Sequence, residues 1–144
     1  MSNTVKAILD AKGRDVVTAG PNTTVSEAAA ILSKRKIGAI VIVGMENKIS
    51  GIFTERDVVN AIAKSGPACL DNPVAAVMTA KVYRCNEATT VNELMELMTS
   101  RRFRHVPVET SGKLAGIISI GDVVKTRIAE VEREAEEIKA YIAG

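Results

Sequence analysis

The chain has 144 residues and a formal net charge of +2; 47% of its residues are hydrophobic and only 3% are aromatic. This composition predicts a folded domain with an aliphatic core, and it argues against a single-strand nucleic-acid binder, which needs aromatic stacking platforms and a strongly basic surface. Two cysteines, Cys69 and Cys85, are too few for a disulfide framework or a zinc site, so we expect reduced thiols.

The first nine residues lack the apolar core of a signal peptide. No apolar run approaches the ~20 residues that a membrane-spanning helix needs. We therefore expect a soluble, cytoplasmic protein.

An N-terminal helix is predicted to precede a first unit that opens with a short strand at 16–17. The next helix has the spacing of one apolar face, formed by Val25, Ala28, Ala29 and Leu32. Thr24 precedes this face and Glu27 lies three residues later, which is the pattern of a capping box. The unit continues with strands at 39–43 and 48–53 and a helix from Glu55.

A second unit repeats this order. A short strand at 82–83 precedes a helix with the apolar face Val91, Leu94, Met95 and Met98. Thr90 and Glu93 form its capping box. The unit continues with strands at 105–109 and 114–119 and a helix from Ile120.

The two units are copies of one another. The segment from Gly51 recurs from Gly116, an offset of 65 residues, and Thr24 recurs as Thr90, an offset of 66. Residues 65–73, rich in turn-forming types, connect the copies. We predict a first repeat with the N-terminal helix at 1–66, linker and second repeat at 67–128, and a helical extension at 129–144.

The predicted fold is α/β (α+β), with tandem β-α-β-β-α repeats and pseudo-two-fold symmetry. A unit of about 60 residues buries little surface alone, so the two sheets should pack against each other. Such an interface leaves a cleft, which is a favoured place for a small-molecule site.

The strongest local motif is Gly-x-x-Thr/Ser-x-x-Asp, which occurs as Gly51-Thr54-Asp57 and again as Gly116-Ser119-Asp122. It lies where a strand enters a helix, and free N–H groups there suit a phosphate. The carboxylate suits ribose hydroxyls, and the glycine would let a ligand approach the backbone. The same spacing also serves helix capping alone, but its duplication favours a ligand site.

These two segments, with Arg104-His105-Val106-Pro107-Val108 before the second, resemble the tandem repeat of cystathionine-β-synthase (CBS) domains, a stand-alone Bateman module. The resemblance covers about residues 5–128. It implies two clefts that bind AMP, ADP, ATP, S-adenosylmethionine or a dinucleotide such as NAD(H), without a metal. It also implies a homodimer and a regulatory role in signal transduction.

Carried over to this chain, the resemblance implies that Asp57 and Asp122 hold ribose hydroxyls. It implies that Thr54 and Ser119 contact ribose or phosphate. The adenine pocket would be lined by Gly38, Ala39, His105, Val106 and Pro107. The base would be flanked by Val17, Thr18, Tyr83 and Arg84.

The two copies differ in their cations. Arg56 lies beside Asp57 and could reach a phosphate, whereas Gly121 stands at the matching place in the second copy. Candidates to supply the second site are Arg101, Arg102 and Arg104. The alternative is that these arginines only favour the negative end of a helix dipole. The asymmetry leaves open whether both clefts bind the same ligand.

A catalytic role is not expected. His105 is the only histidine, and it has no partner at the spacing of a metal site or of a base and nucleophile.

The second closing helix continues past its counterpart. A heptad seam is formed by Val124, Ile128, Val131, Ala135, Ile138 and Ile142. We predict that this seam packs across a dimer; the alternative is packing on its own lobe.

The leading hypothesis is therefore a non-catalytic, regulatory adenine-nucleotide sensor that signals by conformational change. The second is a structural dimerisation or adaptor protein that binds no nucleotide. A nucleic-acid binder that uses the arginine cluster ranks last.

Overall fold

The computed structural model describes residues 3–143, which begin with helix α1 (Val5–Lys12). The first repeat follows as β1 (Thr18–Ala19), α2 (Val25–Arg35), β2 (Ala39–Val43), β3 (Ile49–Thr54) and α3 (Glu55–Ser65). Its sheet has the order β1-β2-β3, with β1 parallel to β2 and β2 antiparallel to β3. A short 3₁₀ turn, Met45–Asn47, joins β2 to β3.

The second repeat consists of α4 (Val91–Arg101), β4 (His105–Thr110), β5 (Lys113–Ser119) and α5 (Ile120–Ala143). Its two strands pair antiparallel. The linker contains two 3₁₀ turns, Pro67–Asp71 and Val74–Ala76. The predicted fold class is confirmed: the chain is mixed α/β, with two small sheets and a long C-terminal helix.

The first strand of each repeat differs from its prediction. In the first repeat the strand is Thr18–Ala19, two residues later than predicted. In the second, no strand forms at 82–83, because Val82 N–H turns back to the carbonyl of Ala80 at 3.1 Å. The strand contact is reduced to one parallel bridge between Cys85 and Val108.

The predicted threonine caps are confirmed, but among these caps the full reciprocal capping box forms only at Thr54 and Asp57, not at Thr24 and Glu27 or at Thr90 and Glu93. The hydroxyls of Thr24, Thr54 and Thr90 each accept a hydrogen bond from the backbone N–H three residues later. Each bond satisfies a donor that the first turn of a helix leaves free. The caps therefore set where α2, α3 and α4 begin.

The segment that precedes each repeat in the chain packs in the hydrophobic core of the other repeat, and we call these two segments the exchanged leading segments. Val5 and Leu9 of α1 are fully buried in the core of the second repeat, with Leu94 and Ile118. Val74, from the linker, is fully buried in the core of the first repeat. The helix that precedes the first repeat in the chain thus packs on the second repeat in space.

Backbone hydrogen bonds fix this exchange on both sides. Val5 N–H donates to Thr89 O at 2.8 Å, and Val91 N–H donates to the carbonyl of Asn3 at 2.8 Å. In the other lobe Val25 N–H donates to Asn72 O at 2.9 Å, with a matching bond from Val74 to Thr23 O at 2.6 Å. The matching pairs confirm the predicted pseudo-two-fold symmetry.

Helix α5 spans 24 residues, and its last part leaves the body of the protein. Val123 is buried in the second core, whereas every residue from 131 to 143 is exposed. The alternative of a tail packed on its own lobe does not hold for these residues. No helix within residues 3–143 is long and apolar enough to cross a membrane.

Candidate functional site

A cavity of about 340 Å³ opens where the first repeat meets the start of β4, and we call it the Asp57 cavity. The first repeat and the linker supply Gly38, Ile52, Thr54, Glu55, Arg56, Asp57 and Thr79. The second repeat supplies Arg102, Phe103, Arg104 and His105. Seven of the residues singled out in the sequence thus line one cavity, and both repeats contribute to it.

Asp57 lines this cavity, and both of its carboxylate oxygens accept hydrogen bonds. Oδ2 accepts a hydrogen bond from Thr54 N–H at 2.9 Å and lies 3.3 Å from the Thr54 hydroxyl. Oδ1 accepts from the hydroxyl of Thr79 at 3.1 Å. The carboxylate therefore caps α3 with one oxygen, while neutral hydroxyls are its neighbours on the cavity side.

Three arginines give the cavity its positive charge, and two of them, Arg102 and Arg104, lie here rather than at the second site, where the sequence predicts them. Arg56 lies in the first turn of α3, Arg102 ends α4 in a left-handed conformation (φ 57°), and Arg104 precedes β4. All three are exposed, and none forms an ion pair within residues 3–143. Unpaired guanidinium groups that converge on one cavity are suited to a phosphate, which they bind in a planar, bidentate way.

His105 lies across the cavity from the start of β2. A methyl group added at Gly38 would lie 3.2 Å from Cε1 of His105, so the histidine ring packs against the glycine backbone. Burial, and then the nearby charge of Arg104, lowers the pKa of His105 below its usual value. The imidazole is therefore neutral at neutral pH.

An aromatic pair stands next to the arginines. The rings of Tyr83 and Phe103 stack with their centroids 5.2 Å apart, and Phe103 lines the cavity. The guanidinium of Arg101 lies 5.2 Å from the Tyr83 ring centre, which is cation–π geometry. Arg101 is thus directed to Tyr83 rather than to a phosphate.

The matching carboxylate of the second repeat has different neighbours. Asp122 Oδ2 accepts from Ser119 N–H at 2.9 Å and from Lys12 Nζ, at the end of α1, at 2.6 Å. The Lys12 ammonium and the Ser119 backbone outweigh burial and lower the pKa of Asp122. Asp122 and Lys12 line a separate cavity of about 310 Å³ between α1 and α5.

Other predicted residues do not line the Asp57 cavity. Val106 and Pro107 are buried, and the Val106 side chain is in the second core. Arg84 pairs with Glu109 at 2.6 Å and donates to the carbonyl of Ile49, away from the cavity. The remaining residues outside its lining are Val17, Thr18, Ala39, Tyr83 and Ser119.

The role expected of the motif glycines is wrong. A methyl group added at Gly51 would lie 2.7 Å from the sulfur of Met78, and one at Gly116 would lie 2.8 Å from Leu9. The space beside each glycine is therefore filled by other residues of the chain and is not open to a ligand. These are the leading segments that the two repeats exchange.

Sequence reasoning missed Thr79, Phe103 and Lys12. Thr79 and Lys12 approach their aspartates from segments 22 and 110 residues away in the chain, and no local pattern signals such a contact. Phe103 had a weak signal, because it is one of two phenylalanines and interrupts the run of arginines. Within residues 3–143 no group of three or more potential metal ligands comes together.

Comparisons with known proteins agree with this architecture. A crystal structure of a CBS-domain protein from Agrobacterium tumefaciens is 55% identical, with a TM-score of 0.83 over 87% of this chain and 99% of that one. The mitochondrial CBS domain-containing protein CBSX3 of Arabidopsis thaliana is 32% identical over 99% of this chain and 73% of its own length.

A third relative was solved with ligands. The CBS domain pair of protein MJ0100, in complex with 5′-methylthioadenosine and S-adenosyl-L-methionine, is 27% identical, with a TM-score of 0.79 over 90% of this chain and 99% of that one. The family model of the CBS domain matches residues 5–64 and again 74–128. Both matches begin at the exchanged segments, at Val5 and Val74. The chain therefore belongs to the CBS domain family, as a tandem pair.

Proposed function

We propose that the protein is a regulatory module that binds an adenine mononucleotide, AMP, ADP or ATP, in the Asp57 cavity. The observation that carries this proposal is that the Asp57 carboxylate and three unpaired arginines line the same cavity, where the arginines outnumber the two carboxylates, Glu55 and Asp57. Ribose hydroxyls donate hydrogen bonds to a carboxylate, and a phosphate binds cationic side chains, so a nucleotide site needs both kinds of group a short distance apart. This cavity offers both.

In the proposed complex the two ribose hydroxyls donate to Asp57. Its Oδ1 accepts only a neutral hydroxyl, that of Thr79, which a ligand can replace without breaking an ion pair. The phosphates lie against Arg56, Arg102 and Arg104, close to the N-terminus of α3. The partial positive charge of that helix end adds to the attraction.

The adenine base fits the less polar side of the cavity. Ile52 and Phe103 line it there, and the neutral ring of His105 borders it. The proposal thereby moves the base contacts from Val106 and Pro107, which are buried, to these three residues.

The charge and size of the cavity favour a mononucleotide over the other adenosyl ligands. About 340 Å³ is near the lower end of the range for small-molecule pockets, which argues against a dinucleotide such as NAD(H). MJ0100 binds methylthioadenosine and S-adenosylmethionine, which carry no phosphate. Methylthioadenosine has no anionic group for the arginines to bind, and S-adenosylmethionine has one carboxylate but also carries two positive charges, an ammonium and a sulfonium, which three arginines would repel.

The proposed role is regulation rather than catalysis. Both repeats line the cavity, so a bound nucleotide would bridge them and stabilise one relative arrangement over another. Both cysteines are buried, and burial raises the pKa of the Cys85 thiol to about 12, which removes it as a nucleophile at neutral pH. His105 is half-buried, and its lowered pKa keeps it neutral near pH 7.

A thermal-shift screen with AMP, ADP, ATP, NAD⁺, NADH and S-adenosylmethionine tests the proposal. A ligand at 100 times its Kd adds about 2.7 kcal/mol, which raises the Tm of a protein of this size by several degrees. We expect the shift with mononucleotides and a smaller or absent one with S-adenosylmethionine. No shift with any ligand, for protein freed of co-purified nucleotide, would contradict it.

A second candidate function, dimerisation, rests on α5. Its exposed apolar residues follow the heptad seam and include Val124, Ile128, Val131, Ile138 and Ile142. Lone exposed apolar residues are common, whereas a continuous stripe is typical of an interface. We propose that two copies pair through this seam, so the module is both a sensor and a homodimer.

A further inference from the structure

The two motif aspartates have the same position in their repeats but different hydrogen-bond partners. Asp57 Oδ1 accepts from the neutral hydroxyl of Thr79 at 3.1 Å. Asp122 Oδ2 instead accepts from the charged ammonium of Lys12 at 2.6 Å. The second carboxylate is therefore already neutralised by the protein's own cation.

Lys12 contacts Asp122 because it lies on α1, the segment that precedes the first repeat and packs on the second. The linker segment that carries Met78 and Thr79 has the symmetry-related position on the first repeat. Leu9 fills the space beside Gly116 as Met78 fills the space beside Gly51. Thr79 follows Met78 directly and bonds Asp57, whereas Lys12 lies one helical turn beyond Leu9 and bonds Asp122. The same structural segment thus delivers a hydroxyl to one site and an ammonium to the other.

The partial burial and fixed geometry of the Lys12–Asp122 ion pair favour its stability in solution. The Lys12 side chain is 32% exposed and the Asp122 side chain 23%, so water screens the pair only in part. Both ends are held, because Lys12 closes α1 and Asp122 bonds the backbone of Ser119 at 2.9 Å. Lys12 and Ser119 both bond Oδ2 of Asp122, so a ribose whose two hydroxyls bind both carboxylate oxygens would have to displace the short, charge-assisted hydrogen bond from Lys12.

The second cavity also lacks the arginines of the first. Its cations are Lys12 and Lys125, with the small residues of α1 and α5 around them. Once Lys12 is paired with Asp122, little remains there to bind both a ribose and a phosphate.

We propose that Lys12, by pairing with Asp122, blocks nucleotide binding at the second site, and we call this pair the latch. The module then binds one nucleotide per chain, in the Asp57 cavity. This inference rests on the proposed function. Removal of the Lys12 charge should free Asp122 and open a second binding event.

Isothermal titration of AMP into wild type, Lys12→Met and Lys6→Met tests the latch. Methionine keeps the length and helix propensity of lysine without its charge. We expect one site in wild type, two in Lys12→Met, and one in the control, because Lys6 lies on the same helix but pairs only with Asp10. The second event should disappear again in the double variant Lys12→Met, Asp122→Asn.

The latch would be overturned if wild type bound two AMP molecules and lost one on Asp122→Asn. It would also be overturned if Lys12→Met and Lys12→Gln, both folded by circular dichroism, still bound one. A wild type that binds nothing contradicts the proposed function instead. If wild type binds nothing, the latch still holds when Lys12→Met binds AMP and the double variant Lys12→Met, Asp122→Asn does not. If Lys12→Met does not bind AMP either, the latch is overturned.

Discussion

At Asp57 a single carboxylate both caps a helix and lines a cavity. One oxygen satisfies the N–H of Thr54, and the other faces Thr79. Capping uses one oxygen of this group, and the proposed ligand would bind to the other, so the two roles are compatible. An asparagine at this position can still accept from Thr54, so the two roles can be separated by mutation.

The variant Asp57→Asn should weaken AMP binding by about 10- to 100-fold, because hydrogen bonds to a charged group contribute about 1.5–3 kcal/mol. Its Tm without ligand should change little, since the cap is retained. Isothermal titration and thermal unfolding measure the two effects.

The matched control for this change is Asp122→Asn, which alters the same motif in the other repeat. The affinity of the Asp57 cavity should stay within twofold of wild type. Equal losses in both variants would contradict the assignment of the ribose to Asp57.

His105 should make stability fall as the solution becomes acidic. Burial lowers its pKa below the usual 6.5, so protonation favours the unfolded chain. Its contribution is complete above about pH 6.5 and is lost as the pH falls through the lower, folded pKa. His105 is the only histidine, so the interval from pH 7 to pH 5 isolates its titration from that of the carboxyl groups.

The measurement is Tm against pH for wild type and His105→Gln. The wild type should lose Tm more steeply below pH 6.5, because glutamine does not titrate. Parallel profiles for the two proteins would show that His105 is not desolvated as the structure indicates.

At the scale of elements, the leading segments explain why each repeat keeps its glycine. At Gly51 an added methyl group would meet the Met78 sulfur at 2.7 Å and the carbonyl of Thr79 at 2.8 Å. That carbonyl is held by a 2.9 Å hydrogen bond from Ile52 and cannot retreat freely. At Gly116 it would meet only the end of the Leu9 side chain, which can rotate.

Gly51→Ala should therefore destabilise the protein by about 2–3 kcal/mol and Gly116→Ala by about 1 kcal/mol, in the range of overpacked cores. Gly20→Ala is the control, because nothing lies within 4 Å of an added methyl group there. Urea unfolding at equilibrium gives the three values. A larger cost at Gly116 than at Gly51 would contradict the close approach of Thr79.

The caps, the paired strands and the apolar helix faces could be predicted from sequence because each depends on residues a few positions apart. The exchange of α1 and the linker could not, since Val5 and Val74 read as ordinary apolar residues of their own segments. The contact of Lys12 with Asp122 depends on that exchange and was missed with it. The site was therefore predicted at its motif residues and missed the residues that the exchanged segments supply, Thr79 and Lys12.

Helix α5 gives a further prediction at this scale. Ile138 is 60% exposed on the seam, so Ile138→Glu should shift a dimer toward monomer at micromolar concentration. Glu136→Lys changes charge on the opposite face and should leave the dimer intact. Size exclusion with light scattering measures both. A wild type that elutes as a 15.3 kDa monomer would contradict the dimer.

At the scale of the whole molecule, the pseudo-two-fold symmetry repeats the aspartate motif, but different elements line the cavities beside the two aspartates. About 340 Å³ lies beside Asp57 with three arginines, and about 310 Å³ lies beside Asp122 with its lysine. The fold supplies the duplicated motif, and we propose that the side chains around each copy decide which one binds a nucleotide. If the proposed function and latch hold, the module responds to a single ligand rather than to two in sequence.

A crystal structure of the protein with AMP tests the central claim most directly. The account predicts one nucleotide per chain, with ribose hydroxyls within 3.2 Å of Asp57, in the usual range of hydrogen bonds, and phosphate against Arg102 or Arg104. A nucleotide bound at Asp122 with the Asp57 cavity empty would contradict it.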